Sequence, residues 1–188
     1  MILNLFPTPV AILDNVIDEF ERYSLLERVK RTEHIKHGAF RDNSSSSHQH
    51  GDNFIVDGSK LHTVITQHVN RYATEVFGIQ QLKLSSSWSN IQGPGSKLLN
   101  HVHPNSKVSG VMYLNVDSSS SRIFFHNPNP FIPFEDYVNV TDWNQHFHWF
   151  EPKNCQLFLF PSWLSHGSHL DENHSQERIS IAFNTVIS

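Results

Sequence analysis

Two segments in the first third of the chain repeat apolar residues with the period of an α-helix. Residues 14–31 predict the first helix, with Asp14 or Asn15 as its amino-terminal cap. Residues 60–77 predict a second amphipathic helix, which Gly78 should end. Both helices have one apolar stripe, so each is expected to pack against another layer of the protein.

After residue 78 the pattern changes to short apolar or alternating runs, separated by Gly, Pro, Asn and Ser. Such runs are typical of strands in a β-sandwich or barrel. They cover residues 80–90, 97–103, 108–116, 122–126, 156–160 and 177–187. The chain is therefore predicted to be mainly β with flanking helices. We expect one domain over residues 1–188, with a helical buttress at 1–78 and a β core at 79–188.

Composition excludes several classes of protein. The 14 Lys and Arg are outnumbered by 18 Asp and Glu, for a net charge of −4, which argues against nucleic-acid binding through bulk positive charge. No uncharged apolar run reaches the length of a membrane span. Cys155 is the one cysteine, so no intramolecular disulfide is possible, and a cytoplasmic location is expected. The oligomeric state is left open, with a homodimer as one option.

The unusual feature of the composition is its 14 histidines. Three His-x-His pairs occur, at positions 48 and 50, 101 and 103, and 146 and 148. The first pair lies in the polar segment 40–53, which predicts a solvated loop. The third pair alternates with Phe147 and Trp149, which predicts a half-buried strand with the aromatic side chains toward the core.

The middle pair, His101 and His103, has a different setting. Leucines precede it, Pro104 turns the chain, and the apolar run 109–116 follows, so we expect a core hairpin. Two histidines there would need polar partners or a metal ion. His166 is a third candidate ligand, because it directly follows another apolar run.

The last predicted strand has one polar face. Its small or polar members alternate with Ile and Phe: Arg178, Ser180, Ala182 and Asn184. This alternation predicts the wall of a polar cavity.

The ordered set of motifs resembles the Fe(II)- and 2-oxoglutarate-dependent oxygenases, in particular bacterial and phage members with a His-x-His-Pro motif. The matching pieces are Gly95, His101-Val102-His103-Pro104, Tyr113-Leu114-Asn115, Phe160-Pro161, His166 and Arg178-Ile179-Ser180. The resemblance implies a double-stranded β-helix, the jelly roll that cupins share. It also implies oxidative decarboxylation of 2-oxoglutarate to succinate and CO2, coupled to hydroxylation of a substrate that the sequence does not identify.

The resemblance implies a role for each motif residue. His101, His103 and His166 would bind Fe(II), while Arg178, Ser180 and Tyr113 would bind 2-oxoglutarate. Further residues are expected to line the pocket, namely Asn90, Ser109 and Asn184. His103 stands where most of these oxygenases have a carboxylate, so three neutral ligands leave the iron site one unit more positive. Cys155 stands where relatives have a turn glycine.

Two other hypotheses remain open from the sequence. One is a cupin-like dioxygenase that holds its metal with three histidines and does not use 2-oxoglutarate. The other is a β-sandwich binding module without metal or catalysis. Arg178 and Ser180 favour the oxygenase. The segment 127–152 is predicted to form a lid or substrate wall, and the substrate could be a peptide, a nucleotide or a small metabolite.

Overall fold

A computed structural model describes residues 1, 3, 5–48, 53–132 and 138–188. Two helices are present, α1 (Glu19–Arg31) and α2 (Lys60–Phe77). The strands are β1 (Ala11–Leu13), β2 (Phe40–Arg41), β3 (Ser44–Ser46), β4 (Leu82–Gln92), β5 (Lys97–Leu98), β6 (Val108–Asn115), β7 (Ile123–His126), β8 (Phe147–Phe150), β9 (Leu157–Pro161), β10 (His166–Gly167) and β11 (Arg178–Ile187). In the described part of the chain, no helix is both long and apolar enough to cross a membrane.

Both predicted helices are present. The predicted ends agree with the structure for α2, whereas the predicted start of α1 is too early. Helix α2 has the predicted bounds and ends at Gly78, whose φ of 66° is left-handed. Helix α1 begins later than predicted, because Asp18 is its cap and accepts a 2.7 Å hydrogen bond from the Glu21 amide.

The strands form an antiparallel double-stranded β-helix. The major sheet has the order β1-β9-β6-β11-β4-β3, and a smaller sheet has the order β10-β7-β8. An apolar cluster between them joins Val111, Phe158 and Phe160 of the major sheet to Ile123 and Phe125 of the smaller one. The mainly β fold with two helices is therefore confirmed.

Strand β11 has two chemically different faces. Ile179, Ile181 and Phe183 belong to the core that includes α1 and α2. The alternate residues, from Arg178 to Asn184, line a cavity on the opposite face. The predicted alternation of this strand is confirmed, and it separates the core from the functional face.

Three predictions about chain segments were wrong. Residues 97–103 do not form a hairpin with 108–116, because only Lys97–Leu98 is a strand and it pairs with Phe40–Arg41. Segment 40–53 is not simply a loop, since it contains β2 and β3. Strands β1 and β3 belong to the major sheet, so the first 78 residues are more than a helical buttress.

The turn before β9 explains the position of Cys155. Its φ is 62°, a left-handed conformation that glycine adopts more readily than cysteine. Its amide donates a 2.8 Å hydrogen bond to the carbonyl oxygen of Tyr113. The resemblance implies a turn glycine at this position, and the left-handed φ is the conformation expected of one.

Candidate functional site

A cavity of about 390 Å³ lies against the inner face of the major sheet. Eight of the nine predicted site residues line it: Asn90, His101, His103, Tyr113, His166, Arg178, Ser180 and Asn184. Ser109 is the exception, because it is outside the lining and its hydroxyl hydrogen-bonds to Oδ1 of Asn184 at 2.8 Å. Ser109 therefore positions a cavity residue instead of facing the cavity.

The three histidines of the predicted metal site lie together. One imidazole nitrogen from each of His101, His103 and His166 falls within 4.8 Å of the others. Backbone hydrogen bonds bring the segments together: the amides of His101 and His166 each donate to the other's carbonyl, at 3.0 and 3.1 Å. The His103 amide donates to the carbonyl of Ser162 at 2.9 Å. His101 and His103 are therefore positioned by hydrogen bonds to a distant segment of the chain, and they do not lie on one continuous strand.

Two of these rings are oriented by backbone carbonyls. Nδ1 of His101 lies 2.9 Å from the carbonyl oxygen of Leu99, and Nδ1 of His166 lies 2.8 Å from that of Leu164. A carbonyl can only accept, so each Nδ1 carries the proton and each Nε2 keeps its lone pair. Such a hydrogen bond is the usual way in which a protein orients a metal-binding imidazole.

Burial keeps these imidazoles neutral. Desolvation lowers the pKa of His166 well below its ordinary value, and it also lowers the pKa of His101. The pKa of His103 falls to about 3, mainly through desolvation and further through the neighbouring His101 and His48. Neutral imidazole is the form that binds a metal ion, so the cluster needs no deprotonation at neutral pH.

Arg178 is a buried cation in the cavity lining, 4% exposed. Its Nε donates to the carbonyl of Ser121 at 3.1 Å, Nη1 donates to Oε1 of Gln92, and Nη2 donates to the Tyr113 hydroxyl at 3.2 Å. One N–H on each terminal nitrogen is left over. Within the described residues no carboxylate pairs with this guanidinium.

Two hydroxyl groups beside Arg178 can donate to an anion. Burial raises the pKa of Tyr113, although the nearby Arg178 opposes this, so the phenol stays protonated. Its oxygen accepts from Arg178, and its own proton remains available. Ser180 lies opposite Tyr113 in the β11–β6 register and lines the same cavity. The three residues together form a positive, donor-rich part of the cavity lining.

The lining residues that the sequence analysis missed include His37, His48, Trp88 and Gln92. The His48 ring lies 4.4 Å from the Trp88 ring and 5.3 Å from the His37 ring, measured between centroids. His48 is exposed and follows β3 without belonging to a strand, which agrees with the solvated-loop prediction, and its ring also borders the cavity; His50 lies outside the described residues. The pairing of β3 with β4 creates this wall, and no local pattern marks it.

The segment 127–152 does not line this cavity in its described residues. Several of them instead border a second cavity of about 670 Å³, together with Thr8 and Val10; residues 133–137 lie outside the described part. The predicted strand forms as β8, but Trp149 is 42% exposed, with the Arg122 guanidinium 4.5 Å from its ring. The expectation that Trp149 faces the core was wrong.

Solved structures with the same fold include several oxygenases. HygX from Streptomyces hygroscopicus, solved with nickel, 2-oxoglutarate and hygromycin B, superposes with a TM-score of 0.67 at 11% identity, covering 96% of this chain and 84% of HygX. A Pseudomonas putida prolyl-4-hydroxylase gives 0.66 at 14% identity, covering 96% and 94%. A viral collagen prolyl hydroxylase from Paramecium Bursaria Chlorella virus-1 gives 0.63 at 13% identity, covering 95% and 96%. These likenesses establish the fold.

Sequence comparison gives the family. No curated protein sequence matches the chain. A family model described as "Putative 2OG-Fe(II) oxygenase" matches residues 86–184, which include all nine predicted site residues. Since this match spans more than half of the 188 residues, the chain belongs to the 2OG-Fe(II) oxygenase family.

Proposed function

We propose that His101, His103 and His166 hold the Fe(II) of this oxygenase and that Arg178 binds the far carboxylate of 2-oxoglutarate. The histidines fit a divalent ion because their nitrogens converge within 4.8 Å and burial keeps them neutral. Tyr113 and Ser180 add hydrogen bonds to the same carboxylate. Asn90 and Asn184 complete the lining of the cavity.

The observation that supports this assignment most strongly is the unpaired charge of Arg178. A buried cation without a carboxylate partner is costly, and an anionic ligand removes that cost. The two unused N–H groups of the guanidinium suit a carboxylate, which binds two donors at once. The cupin-like alternative without 2-oxoglutarate gives this residue no ligand, and the binding-module alternative gives the histidine cluster no purpose.

Each part of the cavity then has a distinct task. When bound, Fe(II) and 2-oxoglutarate supply the oxidative chemistry, in which O2 converts 2-oxoglutarate to succinate and CO2 and hydroxylates the substrate. The carbonyl groups of Leu99 and Leu164 orient the imidazole rings of His101 and His166. Gln92 and the Ser121 carbonyl hold the guanidinium in place. Val111 and Phe160 contribute apolar surface that excludes water.

The substrate and setting are part of the same proposal. HygX was solved with the small molecule hygromycin B, and a Trichoplax adhaerens prolyl hydroxylase was solved with a peptide fragment. We infer that this chain works as one domain in the cytoplasm on a substrate from one of these two classes. The cavity of about 390 Å³ must also hold 2-oxoglutarate, and the remaining room favours a small substrate.

The test separates cosubstrate binding from metal binding. Calorimetry uses Mn(II) as an oxygen-stable substitute for Fe(II). Arg178→Ala should leave the Mn(II) affinity unchanged and weaken 2-oxoglutarate binding by about 2–5 kcal/mol, the range for losing a buried charge pair. Arg178→Lys should recover part of this, because lysine keeps the charge without the planar fork.

Arg122→Ala is the matched control. Arg122 pairs with Asp171 outside the cavity, at 3.0 Å, so its loss should not affect 2-oxoglutarate binding. Equal 2-oxoglutarate affinity in the wild-type protein and Arg178→Ala would refute the assigned cosubstrate site.

A further inference from the structure

The cavity contains positive charge and no negative charge. Among the described residues that line it, five are histidines and one is arginine, whereas Asp, Glu and Lys do not occur. The lining histidines are His37, His48, His101, His103 and His166. Because burial keeps His101, His103 and His166 neutral, Arg178 supplies the fixed charge of this lining, and its sign favours anionic ligands.

The charge remains unbalanced after both cofactors bind, if the proposed function holds. Fe(II) contributes two positive charges and Arg178 contributes one, while 2-oxoglutarate contributes two negative charges. Three neutral imidazole ligands do not cancel the remaining unit. A carboxylate in place of His103 would have cancelled it. An unbalanced charge in a desolvated cavity stabilises a bound anion.

The wall on the His103 side offers hydrogen-bond donors. Nδ1 of His37 accepts a 3.3 Å hydrogen bond from the Ala39 amide, so in the neutral ring the proton is on Nε2. No partner for this Nε2 occurs among the described residues. The Trp88 ring lies 6.0 Å from the His103 ring and gives the wall a flat apolar surface next to the candidate metal ligands.

Asn90 adds a donor whose orientation is fixed by a serine. The Ser46 hydroxyl accepts from the His48 amide at 3.1 Å and donates to Oδ1 of Asn90 at 2.7 Å. The Asn90 amide oxygen is therefore occupied, and its nitrogen is left without a hydrogen-bond partner in the described part of the chain. Because Asn90 lines the cavity, this nitrogen can donate to a ligand.

We propose that the substrate of this enzyme is a small organic anion with a carboxylate, which binds on the wall formed by His37, Trp88 and Asn90. This inference rests on the proposed function, because the charge count includes Fe(II) and 2-oxoglutarate. The donors bind the carboxylate, the uncancelled positive charge attracts it, and the Trp88 ring contacts the body of the molecule.

The experiment compares two probes that differ in charge but hardly in shape. Full-length protein is loaded with Mn(II) and saturating 2-oxoglutarate, and benzoate and benzamide are titrated calorimetrically. Benzoate should bind at least about tenfold more tightly, because one uncancelled unit charge acts within a few ångströms in a medium of low effective dielectric constant. Equal affinities, tighter benzamide binding or undetectable benzoate binding would overturn the inference.

Two variants locate the effect. Asn90→Asp keeps the acceptor for Ser46 but replaces the donor nitrogen with an anionic oxygen, so the preference for benzoate should disappear. His37→Phe keeps an aromatic ring and should weaken benzoate binding by about three- to tenfold through loss of one hydrogen bond. His62→Phe, on α2 outside the cavity lining, should change neither affinity. If both Asn90→Asp and His37→Phe still bind benzoate more tightly than benzamide, this wall is not the binding site for the carboxylate.

The design separates the two levels of inference. Binding of 2-oxoglutarate to the Mn(II)-loaded wild-type protein is measured first. If 2-oxoglutarate does not bind, the proposed function fails, and the charge count fails with it. If 2-oxoglutarate binds and benzoate is not preferred, only the anionic substrate is refuted.

Discussion

Gly167 controls the packing behind two of the candidate metal ligands. A Cβ atom at this position would lie 2.8 Å from the carbonyl oxygen of Leu98, 2.9 Å from that of Leu99 and 2.9 Å from Oδ1 of Asn100. Ordinary contacts of a Cβ atom begin near 3.4 Å, so the two backbone segments must separate by about half an ångström. The segments cannot relax through side-chain rotation, because two of the three atoms belong to the backbone.

The separation would act directly on the histidines. His166 precedes Gly167 and shares two backbone hydrogen bonds with His101, while the Leu99 carbonyl orients the His101 ring. For Gly167→Ala we expect a loss of about 1–3 kcal/mol in the free energy of unfolding, as for other overpacked sites. We also expect a roughly 10- to 100-fold loss of Mn(II) affinity, the effect usual for disturbing groups that orient metal ligands.

Calorimetric Mn(II) titration and urea denaturation measure these two effects. Gly38→Ala is the matched control, because no heavy atom lies within 4 Å of the added methyl group and Gly38 has no positive φ. Gly38→Ala should bind Mn(II) like the wild-type protein. If Gly167→Ala also binds Mn(II) with wild-type affinity while remaining folded, the reasoning that places the metal between His101 and His166 is wrong.

Three further predictions concern single side chains. The folded-state pKa of His103, about 3, lies below the unfolded value of about 6.5, so its contribution to the stability of the metal-free protein is present above pH 6.5 and is lost toward pH 3. The urea concentration at the unfolding midpoint of the metal-free protein should therefore decrease as the pH is lowered. The decrease should be smaller for His103→Gln than for the wild-type protein. Tyr113→Phe should weaken 2-oxoglutarate binding about fivefold in calorimetry, because one hydrogen bond is lost, without changing the Mn(II) affinity. Gly78→Ala should lower the free energy of unfolding by about 1 kcal/mol, because a Cβ atom is strained at its φ of 66°. If the free energy of Mn(II) binding fell by more than the free energy of unfolding, this purely local explanation would be wrong.

Local patterns predicted the features that local physics determines. Helix 60–77 and the two faces of β11 follow from periodicity within a single segment, and both are confirmed. The family resemblance, which rested on ordered motifs along the chain, is also confirmed. The proposed roles of the individual site residues remain predictions that the binding experiments address.

Long-range pairing determined what the sequence analysis missed. His37 and His48 reach the cavity because Ile35 bridges to Ser46 and β3 pairs with β4, and neither contact has a local signature. Gln92 contacts Arg178 because the two residues are directly opposite in the β4–β11 register. The wrong hairpin at 97–103 has the same origin, since His101 pairs with His166, sixty-five positions along the chain.

The two halves of the cavity differ in how they are anchored. Arg178 and Ser180 lie on β11, which is hydrogen-bonded on both sides, to β4 and β6. Of the candidate iron ligands, His101 instead lies on an isolated bridge, His166 on the two-residue strand β10, and His103 outside the strands. Local opening of the histidine segments therefore requires far fewer broken hydrogen bonds than opening of β11. Amide hydrogen exchange should thus be slow at β11 even without metal, and metal loss should be a local, reversible event. If the proposed roles hold, the same separation allows the side chain at position 103 to change without rebuilding the sheet that carries Arg178 and Ser180.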